Sequence, residues 1–246
     1  MQEATSTRAP TPPWPRCGDT HVVRNGHGRS GTPNHLCRGC GRQFVERPKK
    51  GPVSEATKEL IRRLLLERMA LRAIARATGV SRAWLQRFVN ELYREQTPFE
   101  PGPVKKTSGE LILEADEMGS FVGSKANPWW VWVALDLDTR RVVAMVLGDR
   151  SEATAKCLWE ALPEEYRDGA IMCTDFWSAY LAAVPPERHA AGDKGDGITC
   201  HVERFWCTVR QRCARVVRKT LSFSKCLLNH VGALWYFVRH YNQSLP

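Results

Sequence analysis

The 246-residue chain lacks any uninterrupted apolar run near the roughly eighteen residues that suggest a membrane span. Its opening, MQEATSTRAPTPPWPRC, lacks the apolar segment of a secretory leader. No internal repeat is present, so a solenoid is excluded. Acidic residues are scarce at the front: residues 1–100 carry 18 Lys/Arg against 9 Asp/Glu, whereas the remainder carries 18 against 17. That asymmetry predicts an anionic partner held mainly from the front half. A pI near 9.3 fits nucleic acid better than a small acidic substrate. What is present is cysteine, nine in all, an odd and scattered number. Thiols so placed predict a reducing, cytoplasmic compartment rather than a disulfide framework.

Composition divides the chain. Residues 1–13 are a Thr/Pro-rich tail expected to be disordered. Residues 14–50 are rich in Gly, Arg and Cys and read as a small zinc-ribbon-like module. Residues 51–96 are helical in pattern, and TPFEPGPVKKTSG (97–109) reads as a linker. Residues 110–246 form the large domain. Three strand-like runs, ELILEADEMGSFV, WWVWVALDLD and RRVVAMVLGD, open it, with a turn expected at DTR (138–140). A helix capped by Ser151 follows, then the short strand AIMCTD, a short helix, a possible further strand and a helix over HVERFWCTVRQRCARVVRKTL. This order predicts an α/β fold, a mixed sheet with helices on its faces.

Cys37-x-x-Cys40 has the spacing of a zinc knuckle, with Cys17 upstream as a third thiolate. Trp14 stands where a fourth would be, leaving His21, His27 and His35 as substitutes. LRAIARATGVSRAWLQRFVNEL reads helix, turn, helix: Leu71, Ile74 and Ala75 share one face, as do Leu85, Phe88 and Val89. Gly79 permits the turn and Ser81 caps the second helix. Arg82, Gln86, Arg87 and Asn90 are then candidate contacts in a DNA major groove.

Asp116 lies late in the first strand, Asp175 ends the fourth, and Glu203 opens the last helix. One acid at a strand end is ordinarily a turn or cap residue. Three at such junctions suit Mg²⁺ or Mn²⁺ and phosphodiester chemistry. Arg204, Arg210, Arg212, Arg215, Arg218, Lys219 and Lys225 make the following segment a candidate DNA track. Glu114, on the strand parity of Asp116, is expected to turn toward the site or cap its edge. Glu117 is expected to support the site or face DNA.

These motifs resemble the transposases of the bacterial insertion-sequence-one family over nearly the whole chain. The carriers are the cysteines at 17, 37 and 40 around VVRNGHG, the segment AIARATGVSRAWLQRF, and then DEMGSFVGSK, TDFWSAY, HVERF, RQRCARVVRKTLSFSK and NHVGALWYFVRHYN. The resemblance implies an RNase H-like DDE core with Asp116, Asp175 and Glu203 as its triad. It also implies double-stranded DNA as partner, a homodimer or larger assembly joining two element ends, and a nucleoid-associated bacterial protein. Trp14 departs from the pattern, as do Trp206 and Cys207, where the family has asparagines. Trp206, three residues after Glu203, is expected on the same helix face, crowding the metal site. The alternative reading is an inactive copy that binds DNA as a repressor; a structure-specific nuclease that cuts without joining is a third.

Overall fold

A computed structural model describes residues 17–28, 31–45, 51–96, 110–193, 195–217 and 221–246. The expected tail and linker, Trp14, Arg218 and Lys219 lie outside them. Two compact units divide at Ser54 and Glu55. The first is a three-stranded antiparallel sheet of β1 (Val22–His27), β2 (Pro33–Cys37) and β3 (Gln43–Val45), in that spatial order.

The second unit is mixed α/β. It begins with helices α1 (Glu55–Leu64), α2 (Leu71–Thr78) and α3 (Arg82–Arg94). Gly79 ends α2 in the left-handed conformation, φ 70°, which its missing Cβ makes inexpensive. The Ser81 hydroxyl accepts from the Trp84 N–H and starts α3. A five-stranded sheet follows, built from β4 (Leu111–Phe121), β5 (Pro128–Asp136), β6 (Val142–Gly148), β7 (Ala170–Thr174) and β8 (His189–Ala191). Its order is β6-β5-β4-β7-β8, with β4 antiparallel to β5 but parallel to β7. The Asp138–Arg140 turn forms as expected, with the Arg140 N–H bonded to the Asp136 carbonyl.

Strand alternation sorts side chains between two cores. Leu113, Ala115, Trp132 and Ala134 face α4 (Glu152–Glu160), α5 (Glu164–Gly169) and α6 (Ser178–Ala183). Met118, Val131 and Val133 face α7 (Cys200–Arg212) and α8 (Leu227–Ser244). Ile61, Ile74, Leu85, Val89 and Tyr93 from α1–α3 belong to that second core, so the front helices and the sheet are packed as one body. The helix expected through residue 221 stops at Arg212. Its carbonyl, the acceptor that a continuing turn would use, instead takes the Arg68 N–H at 2.7 Å.

Helix α8, which the sequence reading does not assign, ties the unit together. Asn242 exchanges two hydrogen bonds with the Val142 backbone, satisfying part of the β6 edge. His230 lies between Ser120 and Ser224 and is wholly buried. Burial, aided by the Arg215 charge, pushes its pKa down to about 4. Gly232 lets α8 meet α3: an added Cβ would sit 2.2 Å from the Tyr93 carbonyl oxygen. Among the described residues no helix is long and apolar enough to cross a membrane. Gly232→Ala should therefore cost about 1–3 kcal/mol despite alanine's better helix propensity, read as a lower urea midpoint. An unchanged midpoint would contradict this packing.

Candidate active site

Residues 116, 175 and 203 lie near enough for the charges of Asp175 and Glu203 to act on Asp116, on the central strand of the sheet. The β4/β7 pairing sets Glu114 opposite Cys173, which puts Asp116 level with the end of β7 where Asp175 follows. Asp116 shares the strand face of Glu114 and Met118, toward α7, and Glu203 lies in the first turn of α7. Burial pushes the Asp116 pKa up from 3.8 to about 6, reinforced by the negative charges of Glu117, Asp175 and Glu203. The Asp175 carboxylate accepts the Trp177 N–H at 3.0 Å, fixing the turn after β7. Beside it an open depression of about 480 Å³ is lined by Asp175, Phe176, Trp177, Gly192 and Asp193. The Phe176 ring there is 59% exposed.

The two flanking glutamates differ sharply. Glu114 is buried, and its Oε2 accepts the His201 and Val202 N–H groups at 2.7 and 2.8 Å. Its Oε1 meets His201 Nδ1. Of its two expected roles, the edge cap is the one formed. Glu117 points through the opposite sheet face, because adjacent strand residues alternate. There it pairs with Arg150 at 2.6 Å and accepts the Tyr180 hydroxyl at 3.0 Å. Expectation of a DNA-facing Glu117 is thus corrected: its side chain is 1% exposed. Arg150 in turn lies over the Trp130 and Trp177 rings at 4.7 and 3.9 Å. Sequence reasoning missed this Glu117–Arg150–Tyr180 clamp, since lone Arg and Tyr residues carry no spacing signal.

Trp206 is a core residue, whereas Glu203 on the same helix is exposed. Its indole is 3% exposed, packed in the core against Phe205 at 5.1 Å. The core face of α7 runs Val202, Phe205, Trp206, Val209, leaving Glu203 at its margin. The Trp206 Nε1 is buried without a hydrogen-bond partner, a cost of about 1–3 kcal/mol.

The basic candidates divide. Arg82, Gln86 and Arg87 are exposed on α3, and Asn90 is half-buried, accepting from Gln86 at 2.7 Å. Arg204 is exposed and Arg210 half-buried. Arg212 and Arg215 bond within the chain, contrary to a free DNA track. Arg212 bonds the Leu66 carbonyl and Glu67; Arg215 bonds Ser224 and stacks on Tyr93. In the front unit the thiols of Cys17, Cys37 and Cys40 lie within 4.8 Å of one another, a group that could hold zinc. Cys17 and Cys37 sulfurs are 3.6 Å apart, near the roughly 3.8 Å expected across a tetrahedral zinc. The Arg42 backbone N–H holds the Cys40 thiol below its usual range. Among the described residues His21, His27 and His35 do not join this cluster; His35 packs on Phe44. Nor do the three triad carboxylates form a cluster that tight.

The family model of the IS1 transposases matches residues 110–242. The chain belongs to the IS1 transposase family. Among curated relatives, the iso-IS1n protein InsB of Shigella dysenteriae is 36% identical over 128 residues, covering 52% of this chain and 94% of that protein. The IS1 protein InsB of Shigella sonnei is 33% identical over 133 residues, covering 53% and 98%. Among solved structures, a chain of the simian T-cell lymphotropic virus intasome in complex with the PP2A regulatory subunit B56 gamma aligns at 14% identity and a TM-score of 0.31, covering 56% of this chain and 54% of that one. Membership makes this a DDE-type family member, a family that uses divalent metal and acts on DNA.

Asp116 holds its proton more readily folded than unfolded, so its ionised form penalises the fold above about pH 6. That penalty fades as pH falls toward 4. With metal chelated, Asp116→Asn should gain about 3 kcal/mol at pH 8 and little at pH 4, measured by urea unfolding. Equal stability at pH 8 would overturn the electrostatic reading.

Proposed function

We propose that the chain is a working transposase that binds the ends of its own element, cuts DNA there and joins it to a target, with Asp116, Asp175 and Glu203 as the catalytic triad. The observation that supports this is that carboxylates from β4, the turn after β7 and the first turn of α7 lie within electrostatic reach of one another. Asp116 responds to both of the others. The strand order and the mixed parallel–antiparallel pairing suit an RNase H-like core.

Three hard oxygen donors fit Mg²⁺ or Mn²⁺ by their chemistry rather than as a preformed shell. An ion held there would supply Lewis-acid polarisation of the phosphodiester and a more acidic bound water. Asp116 must be ionised to serve, so its elevated pKa favours neutral to alkaline pH. In hydrolysis a water oxygen bonds to phosphorus and the departing strand keeps its 3′-hydroxyl. That hydroxyl then attacks a target phosphodiester, forming a new P–O bond while the target's own 3′-oxygen leaves. No covalent protein–DNA intermediate is required.

On this reading α2 and α3 are a helix-turn-helix, with Arg82, Gln86, Arg87 and Asn90 toward base edges and phosphates. Arg204 lies one residue from Glu203 and suits the DNA backbone beside the triad. Cys17, Cys37 and Cys40 hold Zn²⁺ in a zinc-ribbon-like module. Two ends must be brought together, so a homodimer or larger assembly on double-stranded DNA is the working form. The repressor alternative rested on Trp14 and Trp206; Trp14 lies outside the described residues, and the Trp206 indole is buried in the core.

With Mg²⁺ and DNA bearing the element's ends, the wild-type protein should give joined product. Asp116→Ala should lose at least about a hundredfold in joining while keeping end binding. Joining by Asp116→Ala at the wild-type rate would overturn the triad.

A further inference from the structure

We propose that Glu114 is the positioning residue of the triad: it holds the helix that carries Glu203 at a fixed distance from Asp116. This rests on the triad reading above.

The first N–H groups of α7 have no local side-chain cap, since Thr199 makes no such bond. A helix start leaves these donors unsatisfied, and burying them without a partner is costly. Glu114 supplies the missing acceptor from β4. One oxygen takes the His201 and Val202 N–H groups, at 2.7 and 2.8 Å. The positive end of the helix dipole favours a carboxylate at that point. Its other oxygen is taken by the His201 imidazole. Both oxygens of this 1%-exposed carboxylate are therefore engaged, in three hydrogen bonds.

The register makes the junction functional. Glu114 stands two residues before Asp116 on the same strand face. His201 stands two residues before Glu203 in the same helical turn. The link from one triad carboxylate to another is thus two strand residues, one buried side chain and one helical turn. It contains no loop. Cys200 lies close, and its sulfur with Glu114 and His201 makes a cluster within 4.8 Å. A cation there would sit against the positive end of the α7 dipole and displace bonds already made, so the helix anchor is the stronger reading.

Glu114→Gln preserves shape and one carbonyl acceptor but removes the charge. Glu114→Asp keeps the charge and withdraws it by one methylene. Both variants of the full chain would be compared with wild type and Asp116→Ala, using Mn²⁺ as probe. Binding is read by electron paramagnetic resonance, alongside thermal melting and end-DNA binding. The expected result is a 10- to 100-fold weaker Mn²⁺ site in both variants, with melting still cooperative at a lowered midpoint and DNA binding near wild type. In joining assays the Mg²⁺ needed for half-maximal rate should rise by a similar factor, with the rate recovering at saturating metal.

Folded variants that bind Mn²⁺ as wild type does would overturn the positioning role and leave the triad standing. Loss of melting cooperativity in both variants together would overturn it in favour of a purely structural anchor. If wild type and Asp116→Ala bind Mn²⁺ alike, the triad reading itself fails and carries this inference down with it.

Discussion

A buried carboxylate meeting a helix start is the constraint on which the candidate site depends. Glu114 lies in a strand hydrogen-bonded on both sides, yet it is an anion with almost no access to water. Such a group is tolerated only when fully hydrogen-bonded, and the donors come from α7. The same two bonds satisfy the helix and place it. Helix α7 is held at its other end too, where the Arg212 carbonyl takes the Arg68 N–H and the Arg212 guanidinium takes the Leu66 carbonyl. The helix of Glu203 therefore runs from the central strand to the turn joining α1 and α2.

Around this anchor the two faces of β4 treat charge in opposite ways. Glu117 is paired with Arg150 and accepts the Tyr180 hydroxyl, and Arg150 lies over the Trp130 and Trp177 rings. Trp177 follows closely on Asp175, so the clamp also steadies the turn that carries the second carboxylate. Asp116, one residue away, receives the charges of Glu117, Asp175 and Glu203, which raise its pKa together with burial. Burial raises the pKa of Glu117 as well, with Arg150 and Tyr180 opposing it, whereas the charges that act most on Asp116 are negative and it is pushed further, a pattern typical of functional sites.

Much of this was legible in the sequence because it is local. Alternation at the start of β4 and the apolar runs of β5 and β6 mark strands, Ser81 and Ser151 mark helix starts, and Gly79 marks a left-handed turn. Asp175 and Glu203 stood out at element boundaries, and Asp116 as a charge within an apolar strand; the strand runs on past it to Phe121, so it lies mid-strand rather than late. What failed to read is long-range. Helical spacing through residue 221 gave no warning that Arg68 would take the Arg212 carbonyl. The basic run could not reveal that Arg212 and Arg215 bond to their own chain. Trp206 was misplaced because its distance from Glu203 in sequence was weighed without the neighbouring core face of Val202, Phe205 and Val209. The same three-residue step around a helix separates core from margin.

The central claim is that Asp116, Asp175 and Glu203 hold one divalent cation together. Replacing Mg²⁺ with Fe²⁺ and adding peroxide generates hydroxyl radicals at the bound ion, which cut nearby backbone. The account predicts three cuts, close to residues 116, 175 and 203, all suppressed together by excess Mg²⁺ and all absent from Asp116→Ala. Cuts confined to the cysteine module, or cuts in the sheet unit that Mg²⁺ does not suppress, would contradict it.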